Sequence, residues 1–234
     1  MKRSIDIIST ASLPAECLQQ LQRHGFRTEV IPFIKTYSSV TAASIQRIRS
    51  LEKYMATAVF TSAHGVEAVA ECLFHLPSWK IACINGKTRK TVEHYFDEQD
   101  IIASAPNAAA LIKELDGKVR EPVLFFCGNL RLDTIPNWLK DTGIPFEEIQ
   151  VYKTEFTPHD IQHTKPDAVL FFSTSAVESF FTINTLPAET LCFAIGETTA
   201  AALKQKISNK IIVSAEPDKT ALTELVIKHY HEHS

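Results

Sequence analysis

Val59-Phe60-Thr61-Ser62-Ala63-His64-Gly65-Val66-Glu67-Ala68 reads as the end of an apolar strand, a hydroxyl-bearing turn and the opening of a helix. The same pattern returns 111 residues later as Leu170-Phe171-Phe172-Ser173-Thr174-Ser175-Ala176-Val177-Glu178-Ser179. Without a gap, that offset also pairs Ile84 with Ile195, Thr88 with Thr199, Pro106 with Pro217, and Ala110-Leu111 with Ala221-Leu222. Further upstream the offset is 118: Gly25 pairs with Gly143, Ile31 with Ile149, and Lys35-Thr36 with Lys153-Thr154. Any two strand–helix units share apolar patterning. Offsets held constant through strand, turn and helix indicate an internal duplication instead. The expectation is two similar α/β domains, with the cleft between them as the place for a ligand.

Working outward, short apolar runs alternate with amphipathic stretches. The strand candidates are Ile5–Ile8, Ala58–Phe60, Ile81–Ile84, Val123–Phe126, Ala168–Phe172, Leu191–Ile195 and Ile211–Val213. Helix candidates between them include Pro14–His24, Ala63–Leu73, Thr88–Phe96, Asp133–Asp141, Thr199–Lys206 and Thr220–Tyr230. Fully apolar strands followed by helices of this length form βαβ units and a parallel sheet. Several strands run straight into Ser, Thr or Gly, where helix N-caps and ligand-facing turns fall in such folds. Ile31–Tyr37 and Ile149–Glu155 both read as extended and amphipathic, at equivalent points of the repeat. They pair as a two-stranded connector if the chain leaves one domain at the first and returns at the second; a plain cut near residue 118 is the alternative.

Composition excludes several functions. The 234 residues are 45% hydrophobic and 22% charged, enough to fill the cores of one large or two small domains. A net charge of −3 lacks the basic excess of a dedicated nucleic-acid binder. Only seven glycines are present, and neither G-x-G-x-x-G nor G-x-x-x-x-G-K-[ST] occurs, which argues against a nucleotide-phosphate loop. No run approaches a membrane span, and Met1–Ile8, interrupted by Asp6, reads as a first strand and not a signal peptide. Cys17, Cys72, Cys83, Cys127 and Cys192 are odd in number and widely spaced, the usage of buried, reduced thiols in a cytoplasm. The histidines of His229-Tyr230-His231-Glu232-His233 invite a metal reading, but no third ligand is evident and a polar tail is favoured, so no metal site is expected.

Five motifs, in order and across essentially the whole chain, resemble the uroporphyrinogen-III synthase family: V-F-T-S-A-H-G-V-E-A (59–68), F-C-G-N-L-R-L-D-T-I-P-N-W-L (126–139), V-Y-K-T (151–154), F-F-S-T-S-A-V-E-S-F (171–180) and A-I-G-E-T-T-A-A-A-L (194–203). The resemblance implies two flavodoxin-like (HemD-like) α/β domains joined by a two-stranded β connector, and so supports the crossing connector over the plain cut. It places a discontinuous domain at 1–34 plus 156–234, an inserted domain at 38–149, and the connector at 31–37 and 149–155. It implies as substrate hydroxymethylbilane, an open-chain tetrapyrrole with eight carboxylates. The implied reaction is loss of water and ring closure with inversion of the last pyrrole ring through a spirocyclic intermediate. No cofactor is implied, nor any nucleic-acid or membrane partner. The expected state is a cytoplasmic monomer, with transient contact to the upstream enzyme open.

That chemistry needs positioning more than special groups, since the electron-rich pyrrole itself expels the hydroxyl. Tyr152 matches the family's cleft tyrosine in V-Y-x-T; a phenol donates a proton to the leaving hydroxyl while remaining neutral at pH 7. The competing reading is a connector tyrosine that only packs its ring. Thr61, Ser62, Ala63, Thr88, Ser173, Ser175, Gly196, Thr198 and Thr199 sit where strands run into helices, whose free N–H groups favour carboxylates. In the family such amides hold the substrate's acid arms; plain N-capping is the alternative, and both coexist at one turn. Gly128-Asn129 is expected to turn tightly after its strand and joins the substrate-binding set. Arg131, Lys87 and Arg89 are open as carboxylate partners or as solvated surface cations. In N-G-K-T after Ile84 the glycine is shifted by one place from G-E-T-T in the other half, so Thr88 is equated with Thr199. A non-catalytic two-domain small-molecule sensor on the same scaffold is the second functional reading, because fold does not fix function.

Overall fold

The structure, a computed structural model, describes residues 4–161 and 164–232. In chain order its elements begin β1 (Ile5–Ser9), α1 (Ala15–Arg23), β2 (Phe26–Val30), β3 (Ile34–Ser38), α2 (Ala42–Leu51), β4 (Ala56–Phe60), α3 (Ala63–Ala70), β5 (Trp79–Ile84) and α4 (Lys87–Tyr95). They continue with β6 (Ile101–Ala105), α5 (Ala108–Leu115), β7 (Val123–Gly128), α6 (Thr134–Thr142) and β8 (Phe146–Phe156). The last are β9 (Ala168–Phe171), α7 (Thr174–Phe180), β10 (Leu191–Ala194), α8 (Glu197–Lys204), β11 (Ile211–Val213) and α9 (Lys219–Glu232). Two compact units result: Met1–Lys35 with Glu155–Ser234, and Thr36–Thr154.

The first unit holds a five-stranded sheet of order β11-β10-β9-β1-β2, every pair parallel. Counted along the chain within the unit, that is strand order 2-1-3-4-5, the flavodoxin-like order. The second unit has the order β3-β8-β7-β4-β5-β6, parallel from β8 to β6. Shifting β4 and β5 by 111 residues lands them on β9 and β10, and shifting β1 by 118 lands it on β7. The two sheets are therefore one sheet written twice, with the chain entering the second copy at a different strand. β3 runs opposite to β8: Ser39 N–H donates to Val151 O (3.0 Å), and the Thr36 and Thr154 hydroxyls meet at 3.0 Å.

Burial explains why these runs become central strands. β4, β7 and β9 are buried along their whole length, as a parallel sheet covered on both faces requires. Their side chains alternate between two cores. Ala58, Phe60, Leu124 and Phe126 join Ile48, Val66, Val69, Trp79 and Val92 on the face covered by α2, α3 and α4. Val59, Phe125 and Cys127 join Leu111, Leu115, Ile135 and Leu139 on the face covered by α5 and α6. The first unit repeats this, with Val169 and Phe171 under α7 and α8, and Ala168 and Leu170 under α1 and α9. Each buried Leu, Ile or Phe contributes on the order of 1.5–3 kcal/mol. All five cysteines are free and buried, as their spacing led one to expect.

β2 and β6 were not among the strand candidates. Phe26–Val30 carries Arg, Thr and Glu because it is the edge of its sheet, and Ile101–Ala105 is rich in alanine and serine for the same positional reason. Among the described residues no helix is long and apolar enough to cross a membrane. Met1, Lys2 and Arg3, part of the N-terminal reading, and His233 of the tail lie outside the described residues.

Candidate functional site

Tyr152 owes its position to an irregularity in one ladder. β7 and β8 pair in step from Val123 with Phe146 to Cys127 with Gln150, and then Gly128 pairs with Tyr152. The skipped residue is Val151, and such bulges re-aim a side chain. Here the bulge carries the Tyr152 ring over Gly128. A Cβ on Gly128 would lie 2.2, 2.5 and 2.8 Å from ring atoms Cε2, Cζ and Cδ2. A Cβ on Gly65 would reach Tyr152 Cε1 at 3.6 Å and Phe126 O at 3.5 Å. The ring thus lies on a glycine floor, half-buried against the core that holds Phe60 and Phe126.

The tight turn expected after β7 is present, with Arg131 N–H donating to Gly128 O (3.2 Å), but it does not need glycine: Gly128 is the last residue of β7 and its φ is not positive. Glycine is needed because an aromatic ring fills the space of a side chain. Asn129 does not turn the chain by its own left-handed backbone either. Its side chain accepts from Thr154 N–H (2.7 Å) and donates to Thr154 O (3.1 Å), acting as a short piece of strand beside β8.

Burial pushes the Tyr152 phenol above its ordinary value, while hydrogen bonds with the Ser62 side chain and the Gly128 backbone oppose this. The group is a neutral proton donor at pH 7. Ser62 also accepts from His64 N–H (3.3 Å) as the N-cap of α3. The His64 ring centroid lies 6.1 Å from that of Tyr152. His64 Nδ1 is 3.4 Å from Glu67 Oε2, and Lys87 Nζ is 3.9 Å from Glu67 Oε1. Burial lowers the His64 pKa, opposed by Glu67 and reinforced by Lys87.

The structure brings Ser62, Gly128 and Tyr152 together. Thr61 and Ala63 flank Ser62, with Ala63 buried as the first residue of α3. Thr88 is buried in the first turn of α4. Ser173, Ser175, Gly196, Thr198 and Thr199 lie in the other unit, at the carboxyl ends of β9 and β10. Ser173 caps α7 by accepting from Ala176 N–H (3.1 Å), whereas no side chain caps α4 or α8. Thr88 and Thr199 are 4% and 5% exposed and Thr198 is exposed, so burial keeps the repeat register although α8 starts one residue earlier relative to it. The shifted glycines differ: Gly86 has φ 74°, which favours glycine, and Gly196 is extended at −178°.

The three cations find protein partners. Lys87 faces Glu67, as described above. Arg131 pairs through two nitrogens with Glu148 (2.9 Å each) and through a third with Asp133. Arg89 holds Glu93 at 2.6 Å. Sequence reasoning assigned no role to His64, placed Gly65 only near a post-strand turn, and read Thr154 only as part of the connector. Only the V-E-A that follows His64-Gly65 hinted that Glu67 comes one helical turn after the histidine.

Among the described residues no group of three His, Cys, Asp or Glu is arranged to hold a metal ion. His231 Nε2 lies 2.8 Å from His24 Nδ1. A cavity of about 370 Å³ lies in the first unit beside Asp6, Arg27, Glu29 and Lys165. It is lined by none of the residues above, and Asp6 and Arg27 satisfy each other at 2.6 Å.

Three solved structures share this architecture over nearly the full chain. A mutant uroporphyrinogen III synthase of the extremely thermophilic bacterium Thermus thermophilus is 17% identical, covering 99% of this chain and 100% of its own, with a TM-score of 0.73. The wild-type protein of that organism gives 17%, 98%, 99% and 0.59 in the same order. Uroporphyrinogen-III synthetase of Helicobacter pylori gives 18%, 96%, 99% and 0.62. These likenesses establish the fold. The family follows from the sequence itself, since residues 15–224 match the family described as uroporphyrinogen-III synthase HemD. The chain belongs to the uroporphyrinogen-III synthase family, enzymes of tetrapyrrole biosynthesis.

Proposed function

We propose that this chain converts hydroxymethylbilane to uroporphyrinogen III as a cyclising hydro-lyase, with Tyr152 as its catalytic residue. The family match over residues 15–224 carries the reaction. The seating of Tyr152 between Ser62, Gly65 and Gly128 supports the residue. The match is to a synthase family, which does not favour the sensor reading.

Tyr152 donates its proton to the leaving hydroxyl, which departs as water while the pyrrole nitrogen supplies the electron pair. A neutral phenol raised in pKa by burial keeps that proton until the C–O bond breaks. The glycine floor fixes the ring so that the proton is delivered at one point, a positioning role worth more than the acidity itself. Thr61, Ser62, Ala63, Thr88, Gly128 and Asn129 would hold acid arms of the substrate from this unit. Ser173, Ser175, Gly196, Thr198 and Thr199 offer the same hydroxyl and amide chemistry in theirs. The two compact units are proposed as the enzyme's domains, in a monomer working in the cytoplasm.

The test supplies fresh hydroxymethylbilane and separates the product isomers. Type III product supports the reading; type I product alone, the uncatalysed outcome, overturns it. Tyr152→Phe should retain the fold and lose about 10²-fold in rate. Unchanged turnover would remove the role given to Tyr152.

A further inference from the structure

We infer that His64 is a second catalytic residue, the general base that takes the proton released when the new ring closes. This rests on the synthase reading above and adds a group to its site.

The chemistry leaves a proton to be placed. When the unsubstituted α-carbon of the inverted terminal pyrrole makes the closing bond, it becomes tetrahedral and still carries its hydrogen. Its C–H bond must break, the electron pair returning to the pyrrole and the proton leaving. One proton is thus lost by Tyr152 to the departing water and one is released at carbon, so the turnover balances once both groups equilibrate with solvent. Tyr152 is poorly suited to a second, separate role as base, because its phenol is buried and neutral.

His64 fits. Its ring centroid is 6.1 Å from that of Tyr152, so one substrate ring can touch both. Nδ1 lies 3.4 Å from Glu67 Oε2, an approach that favours the tautomer protonated on Nδ1, in which Nε2 carries the accepting lone pair. The side chain is 45% exposed, so the accepted proton escapes to water. Two charged groups face the pair: Glu67, one turn along α3, and Lys87 at the start of α4, whose Nζ is 3.9 Å from Glu67 Oε1. From β8 the titratable neighbour is Tyr152. Burial and Lys87 favour the neutral imidazole and Glu67 opposes them, with the net effect downward, so the base form prevails at neutral pH.

The experiment measures the rate of type III product against pH in four proteins: the wild type, His64→Ala, Glu67→Gln and Lys87→Met. In the wild type the rate should fall on the acid side with a midpoint below the ordinary histidine value. Glu67→Gln should move that midpoint down and Lys87→Met should move it up, shifts that a structural role would not produce. His64→Ala should lose the acid limb and about 10²-fold in kcat, and added imidazole should restore at least tenfold. The inference is overturned if His64→Ala keeps the wild-type rate and limb. It is equally overturned if His64→Ala is slow but unmoved by imidazole, or if the two charge variants leave the midpoint in place. A wild-type protein that forms only type I product would instead overturn the synthase reading, so the two failures are distinguishable.

Discussion

Gly128→Ala should damage this protein through the Tyr152 ring and not through the backbone. Gly128 has no positive φ, so alanine is conformationally acceptable there and even gains about 0.4–1 kcal/mol from the unfolded chain. Its Cβ, however, would stand 2.2 Å from Tyr152 Cε2, where ordinary contact begins near 3.4 Å. The ring must therefore retreat by roughly an ångström or the two strands must part. Overpacking of this kind costs about 1–3 kcal/mol, leaving a net loss of up to about 2.6 kcal/mol. With about 2.1 cal/mol/K of unfolding entropy per residue, the 234-residue chain should melt up to about 5 °C lower. The activity loss should be larger, about 10²-fold, because an ångström of misplacement costs that much in a positioned reaction. Thermal melts and type III product rates read the two effects. A double-mutant cycle with Tyr152→Ala isolates the cause: once the ring is gone, adding Gly128→Ala should cost nothing. An equal penalty with and without the ring would refute the reasoning.

Other outcomes follow from the same geometry. Ser62→Ala removes both the α3 N-cap and the hydrogen bond to Tyr152, so it should cost about 1 kcal/mol in a urea titration and raise the phenol's pKa, read by ultraviolet titration. Glu147 titrates below its ordinary value because Arg47 hydrogen-bonds it at 2.7–2.9 Å, with burial opposing. Its stabilisation is complete above the unfolded carboxylate value of 4.5 and is lost as pH falls through the lower folded value. Arg47→Ala should therefore flatten the urea midpoint over that acid range and leave its pH dependence near neutrality unchanged. Burial raises the Cys127 thiol to about 11 and Cys192 to about 12, so neither should react with a thiol reagent at pH 8 until the chain unfolds, when all five cysteines should titrate.

Much of this protein was legible in neighbouring residues. The duplication, the central strands and the hydroxyl turns are local facts. Ala58–Phe60 and Val123–Phe126 read as strands buried on both faces because they are apolar throughout, and Ser62 and Ser173 begin helices because their side chains bond the amides just ahead. Edge strands were harder. Phe26–Val30 is interrupted by Arg27, Thr28 and Glu29, and the short apolar run of Ile101–Ala105 ends at Ser104; Ile211–Val213, also at an edge, was legible because all three residues are apolar.

The site was legible only in part. Tyr152 and Ser62 stood out by type and place, but what joins them is a bulge at Val151 in a ladder between strands that start 23 residues apart. A one-residue change of register turns every later side chain over. No pattern inside β8 announces it. Reading the chain residue by residue puts a turn and a substrate contact at Gly128 and only a histidine at 64. That the first makes room for a ring, and that the second faces Glu67, became visible in the folded chain, since each role depends on atoms brought near by strand pairing and helix packing.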